Sequence, residues 1–204
     1  MISGGSETTG TVIDWAMSEM LMNQSILKKA QEEVRQVYGS KGYVDEEDFK
    51  DLKYFEAVIN ETLRVHPPVP LLLPRENSER CEINGYEIPP KTKVIVNAWA
   101  INRDPRYWED AECFKPERFL VESSPDFRGT NFEFIPFGAG RRMCPGITFG
   151  LAFVQLALAK LLYHFDWDLP TGTSPEKLDM SEACGITVRR KAYLHVVPTL
   201  RNAL

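Results

Sequence analysis

Residues 137–146 read Phe137-Gly138-Ala139-Gly140-Arg141-Arg142-Met143-Cys144-Pro145-Gly146. Glycines at 138, 140 and 146 allow positive φ and close backbone approach around one central thiol. Two arginines precede the cysteine, and an apolar helical pattern begins straight after it at Ile147. The guanidinium charges and the first-turn N–H groups of that helix both favour a negative sulfur, the form that binds metal. One thiolate in such a nest suits an axial ligand of haem iron. The same letters also read as a helix-start turn with a core cysteine, and the stretch alone leaves both readings open. A nucleotide-phosphate loop is excluded, because the lysine and hydroxyl of that motif are missing.

Downstream, Ile147 to Tyr163 is strongly apolar but interrupted by Gln155 and Lys160. A membrane span needs about 20 nearly uncharged residues, so a buried core helix is expected here. Short strands are expected near Phe165 to Asp168, Ile186 to Arg190 and Tyr193 to Val197. Upstream, Asn102 to Phe137 is irregular, rich in aromatics, prolines and charges. Such a length of ordered connection requires an anchor.

Further towards the amino terminus, Asn84-Gly85 signals a hairpin and Lys93 to Val96 a β-branched strand. The pattern predicts a helix from about Leu52 to His66, with Phe55, Ile59 and Leu63 on one stripe, stopped by Pro67 and Pro68. On it, Glu61 and Arg64 stand i,i+3; taken alone this is a surface ion pair worth a few tenths of a kcal/mol. Another helix is predicted from Ile26 to Tyr38, stopping at Gly39, with Asp45 capping a short helical turn, DEEDF. Val12, Ile13, Ala16, Met17, Met20 and Leu21 recur at helical spacing in the opening segment. Gly4 and Gly5 weaken that helix by about 1 kcal/mol each. Glu7 and Thr8 place a carboxylate and a hydroxyl side by side in it; a glycine-rich chain start is the plainer reading. Helices mixed with small separate hairpins predict an α+β fold, mainly helical, and not an alternating βαβ sheet.

Composition bounds the function. The chain has 204 residues, 43% of them hydrophobic, enough for a sizeable core. Its 24 basic and 29 acidic residues sum to a net charge of -5, so nucleic acid is not an expected partner. Cys81, Cys113, Cys144 and Cys184 are scattered and only three histidines accompany them, which fits neither a disulfide scaffold nor a zinc site. No positively charged segment followed by an apolar run opens the chain, so no signal peptide or membrane anchor is visible.

Taken in order, Gly4 to Thr9 (Gly-Gly-Ser-Glu-Thr-Thr), Glu61 to Arg64 (Glu-x-x-Arg), Pro116 to Phe119 (Pro-Glu-Arg-Phe) and Phe137 to Gly146 resemble the cytochrome P-450 superfamily, the haem-thiolate monooxygenases. The phrases LRVHPPVPLLLPRE and FIPFGAGRRMCPG look like its plant microsomal branch. The resemblance covers essentially the whole chain. It implies haem b as cofactor, with Cys144 as proximal thiolate ligand and Phe137, Gly138 and Gly146 packed against the haem. Arg75 and Arg142 resemble its propionate-binding residues. Glu61, Arg64 and Arg118 resemble the family's internal salt-bridge triad, a structural lock for the irregular segment. Gly4 and Gly5 would open room for dioxygen, and Glu7 with Thr8 would form the proton-delivery pair. Val69, Leu71, Leu72 and Leu73, with Ala183, Cys184 and Ile186 from a late hairpin, resemble the substrate-pocket segments.

The implied activity is insertion of one oxygen atom of dioxygen into a small hydrophobic substrate, such as a terpenoid, alkaloid or phenolic. Electrons would come from NADPH through a partner reductase, with Arg141 a candidate contact; the chain has no dinucleotide fingerprint of its own. A non-catalytic haem-binding module and a thiolate-haem isomerase or dehydratase are the competing readings. Such relatives generally alter the acid-alcohol pair, whereas Glu7 and Thr8 are present. The family's membrane anchor, early helices and access lid have no counterpart in these residues. Residues 1–204 therefore read as the carboxy-terminal part of a single monooxygenase domain, whose parent would sit on the cytosolic face of the endoplasmic reticulum membrane. The isolated chain is expected to bind haem poorly and not to turn over.

Overall fold

A computed structural model describes residues 2–201. Helix α1 (Ile2–Met22) runs through Gly4, Gly5 and Gly10 without a break. It ends where the Asn23 N–H donates to Glu19 O at 3.0 Å, and Asn23 O at once accepts from Ile26 N at 2.8 Å to start α2 (Gln24–Tyr38). Helix α3 (Lys53–Val65) has Leu52 before it and no cap of its own. Glu33 of α2 supplies one instead, its carboxylate accepting from the N–H groups of Tyr54 and Phe55 at 2.8 and 2.7 Å. A short α4 (Ala98–Ile101) is capped by the Asn97 side chain, which accepts from Ala100 N. The long α5 (Ile147–His164) has its last carbonyls bound from α2: Arg35 Nε donates to Leu162 O at 3.1 Å. Just past its end, Gln31 and Arg35 both donate to Phe165 O. The start of α3 and the end of α5, otherwise orphaned, thus become tertiary contacts with α2.

Among the described residues the strands form four separate antiparallel pairs. β1 (Arg75–Glu76) pairs with β4 (Lys93–Val94), and β2 (Cys81–Ile83) with β3 (Tyr86–Ile88). Between the latter, Asn84 and Gly85 take φ values of 50° and 82°, as a tight right-twisted hairpin turn requires. β5 (Phe165–Asp168) pairs with β8 (Val197–Leu200), and β6 (Glu182–Ala183) with β7 (Arg189–Arg190). The fold is mainly helical α+β, as the sequence predicts.

The core lies where α1, α2, α3 and α5 meet. Trp15, Ala16, Met20, Ala30, Val34, Val58, Ile59, Leu158 and Leu162 are all buried there. Each large apolar side chain contributes about 1.5–3 kcal/mol relative to exposure. Helix α5 is long and apolar enough to cross a membrane by length and composition. Its second half is buried through Val154, Leu158, Ala159, Leu162 and Tyr163, whereas Phe149 is 74% exposed and Phe153 is exposed as well. The expectation of a buried core helix therefore holds only for that second half.

Local details depart from the sequence reading at several points. Gly39 follows α2 but stays right-handed at φ -57°; a Cβ there would stand 2.8 Å from Arg35 O, so close approach is what requires the glycine. The chain reverses at Gly42, φ +76°. Asp45 accepts from the Glu47 N–H in a local turn, and the helical turn forms later, at Phe49–Asp51. The last strand lies at Val197–Leu200 because β5 offers partners there, and the preceding Tyr193 to Val196 is unpaired. The segment from 184 to 188 is a turn rather than strand, closed so tightly that a Cβ on Gly185 would stand 2.8 Å from Thr187 O.

Candidate functional site

The Cys144 loop folds back on itself. The Cys144 N–H donates to Phe137 O at 3.0 Å, Met143 N to Gly140 O at 3.1 Å, and Gly138 N to Ile135 O at 2.9 Å. Gly138 and Gly140 take φ values of +74° and +72°, which L side chains rarely adopt. Gly146 stands beside the sulfur: a Cβ there would lie 3.9 Å from Cys144 Sγ. The thiol itself is exposed. Phe137 is half-buried and meets Phe127 edge to face at 5.4 Å, tying the loop to the irregular segment before it. Arg141 and Arg142 are exposed on a single 3-10 turn, Gly140–Arg142.

The segment after α3 runs against this loop. Arg75 donates from Nη2 to Ala139 O at 3.4 Å. A Cβ on Gly138 would lie 3.7 Å from Leu72 Cδ1 and 3.8 Å from Arg75 Nη2. Leu72 holds φ +50°, a strained conformation for a branched residue. Leu71 and Leu73 are exposed, the latter by 69%. The β6–β7 turn carrying Ala183, Cys184 and Ile186 docks one step earlier, where Val188 N donates to Pro68 O at 2.8 Å. Ala183 is half-buried and Cys184 exposed, and Ile186 is exposed by 77%. Val69 is half-buried and turns the chain by accepting from Leu72 N at 3.0 Å.

On α1, the Thr8 hydroxyl donates back to Gly4 O at 2.8 Å, and Glu7 is exposed. A Cβ on Gly4, Gly5 or Gly10 would meet nothing within 4 Å, so these glycines border open space. Among the described residues, neither Glu7 nor Thr8 hydrogen-bonds to the Cys144 loop.

Glu61 and Arg64 are not a surface pair. Both side chains are 0% exposed, joined by two bonds of 2.8 Å. Arg118 Nε reaches Glu61 Oε1 at 3.1 Å, and so does Lys115 N at 2.7 Å. Arg64 also donates to the carbonyls of Asn102, Ala111 and Cys113, and Arg118 to that of Glu109. Trp108 lies beneath both guanidinium groups, 5.1 and 5.9 Å from its ring centroid. These bonds bind the irregular segment to α3 and so set the approach to the Cys144 loop.

Several residues in this frame carry no local sequence signal. Asn102 donates to Leu63 O and Arg64 O from a loop. His66 bonds Glu19 at 2.7 Å and stacks on Trp15. Only the tertiary contact reveals them.

The residues present fit a flat apolar group with an anionic rim. They offer one accessible thiol, glycines that allow close approach, exposed leucines and the guanidinium of Arg75 at the loop. Among the described residues no three His, Cys, Asp or Glu side chains gather to hold a bare metal ion. A metal bound here would have to bring its other ligands with it.

A cytochrome P-450 family model matches residues 1–197. Salviol synthase of Salvia pomifera is 60% identical over 204 residues, covering 100% of this chain and 41% of its own length. Tabersonine 16-hydroxylase 2 of Catharanthus roseus is 60% identical over 199 residues, covering 97% of this chain and 39% of the relative. The chain thus spans about two fifths of the length of the curated relatives it matches. A solved zebrafish cytochrome P-450 with abiraterone superposes with a TM-score of 0.87 at 30% identity, covering 98% of this chain and 45% of that one. Motif order, helical frame and all three comparisons agree: the chain belongs to the cytochrome P-450 family, matching its carboxy-terminal portion.

Proposed function

We propose that the protein is a haem-dependent monooxygenase that inserts one oxygen atom of dioxygen into a small hydrophobic substrate. The observation that carries the reading is the exposed Cys144 thiol, in a loop closed by its own N–H on Phe137 O with Gly146 beside the sulfur. Haem b, when bound, supplies dioxygen activation, and an axial thiolate favours O–O cleavage. Cys144 would hold the haem iron through its thiolate, with Phe137, Gly138 and Gly146 against the macrocycle. Arg75 and Arg142 would hold the propionates through charge-assisted hydrogen bonds. Thr8 and Glu7 would hold and pass a proton on the side of the site where Gly4 and Gly5 leave space. Val69, Leu71, Leu72, Leu73, Ala183, Cys184 and Ile186 exclude water and hold the substrate by apolar contact. Salviol synthase and tabersonine 16-hydroxylase 2 support a plant specialised metabolite as substrate class.

Electrons come from an NADPH-dependent reductase that docks beside the Cys144 loop, with Arg141 at the contact. The parent protein sits on the cytosolic face of the endoplasmic reticulum membrane. Residues 1–204 are the carboxy-terminal part of its one catalytic domain; the exposed Leu73, Phe149 and Ile186 fit surfaces completed by further chain. The carbon monoxide difference spectrum of the reduced protein tests this, on these residues and on an upstream-extended product. The expected result is a band at about 450 nm in the extended product, weak or absent in residues 1–204 alone, and lost in Cys144→Ser of the extended product while the folded state is kept. A band unchanged in Cys144→Ser would refute the ligand assignment.

A further inference from the structure

Helix α1 presents Trp15 and Glu19 one turn apart on one face, with Asp14 adjacent to Trp15, and the segments read above as substrate walls both attach to these residues. The His66 ring lies flat on Trp15, with centroids 3.8 Å apart and planes 3° apart. Its Nε2 is 2.7 Å from Glu19 Oε1, and Asn23 Nδ2 lies 3.4 Å from the other carboxylate oxygen. A carboxylate only accepts, so Nε2 carries the proton. Trp15, Glu19 and His66 are all buried, and His66 Nδ1 has no hydrogen-bond partner among the described residues. The imidazole is therefore held by one directional bond and one stacked face.

His66 is also the last residue before Pro67 and Pro68, and its N–H closes α3 on Thr62 O at 2.7 Å. Pro68 O then accepts from Val188 N at 2.8 Å, Val69 O from Leu72 N, and Pro70 O from Trp99 N. From above, Trp15 Nε1 donates to Val188 O at 3.4 Å, and the buried Arg190 lies 3.9 Å from Asp14. Val188 is thus gripped on its N–H by the 67–68 turn and on its carbonyl by α1. The position of one imidazole sets where both apolar segments leave their anchors.

We propose that His66, held by Glu19 and Trp15, is a positioning residue that fixes the depth of residues 69–73 and 183–186 beside the Cys144 loop and thereby tunes which substrates fit. The substrate role rests on the monooxygenase reading; the positioning does not.

Amide hydrogen exchange separates the two. His66→Phe keeps the flat ring on Trp15 and removes the N–H; Glu19→Leu removes the acceptor; His66→Gln restores a donor at the reach of Nε2. In the two loss variants the amides of Leu72, Trp99 and Val188 should exchange about tenfold faster, while those of Phe55 and Lys115 keep their wild-type rates. His66→Gln should restore the three. In haem-loaded protein, the affinity for 4-phenylimidazole relative to imidazole, read from the Soret shift, should fall about fivefold in His66→Phe and recover in His66→Gln. Unchanged exchange at the three amides, acceleration spread equally over Phe55 and Lys115, collapse of both loss variants, or no rescue by glutamine would each overturn the proposal. Absence of the band at about 450 nm in the upstream-extended wild-type protein would instead sink the monooxygenase reading and leave the exchange result standing.

Discussion

Glu61 and Arg64 face each other through two bonds of 2.8 Å, and neither side chain reaches solvent. At spacing i,i+3 on an exposed helix, such a pair would be worth a few tenths of a kcal/mol. Here Arg118 and the Lys115 N–H also bind the carboxylate, and three backbone carbonyls accept from Arg64. The cluster converts a long irregular segment into fixed structure.

Arg64→Lys should destabilise the fold by about 3–5 kcal/mol, because an ammonium cannot serve five acceptors arranged around a planar fork. That is a large share of a typical stability of about 5–15 kcal/mol. Arg118→Lys, at the partly exposed edge, should cost about 1 kcal/mol. Urea unfolding of the two variants checks the ordering; equal small losses would contradict it.

Thr8→Ala should leave stability within about 0.5 kcal/mol, since among the described residues the hydroxyl bonds only to Gly4 O in its own helix. Under the proposed function it should lower product formed per NADPH consumed. Stoichiometry of cofactor use against product checks this, and intact coupling would remove Thr8 from the proton path.

Gly138→Ala should cost about 1–2 kcal/mol through backbone strain at φ +74°, because its Cβ would make only ordinary contacts with Leu72 and Arg75. Gly150→Ala, within α5 and facing nothing within 4 Å, should stabilise by about 0.5–1 kcal/mol. Thermal unfolding of both variants reads the opposite signs.

Tyr38 should give the protein an alkaline limit. Its hydroxyl donates to Asp45 O at 2.7 Å, and burial first, then the charges of Asp48 and Asp45, push its pKa up to about 12. The unfolded chain releases this proton at about pH 10, whereas the folded one retains it. Stability from this group is complete below about pH 10 and is lost as pH rises towards 12. Tyr38→Phe should flatten that limb and cost about 1 kcal/mol at neutral pH. Urea midpoints across the alkaline range measure it; an unchanged slope in the variant would rule it out.

Much of this was legible without coordinates, and the reason is range. Pro67 and Pro68 stop α3, Asn84-Gly85 turns the first hairpin, apolar periodicity marks α1 and α3, and a continuous apolar run marks α5, because each signal acts on its nearest neighbours. Four ordered motifs identify the family for the same reason. Other features lie beyond such signals. Glu33 caps a helix that begins twenty residues after it, and Arg35 binds the end of α5. The last strand moved to where β5 had free partners.

By itself, then, the sequence determined the four long helices, the Asn84-Gly85 turn and the chemistry-bearing loop around Cys144, since propensity and spacing are local properties. Only the tertiary structure decided that Glu61 and Arg64 are buried, that His66 grips Glu19 and Trp15, and that half of α5 remains open. Burial and partner choice depend on surfaces brought together from distant parts of the chain, and desolvation then changes what the same two residues are worth.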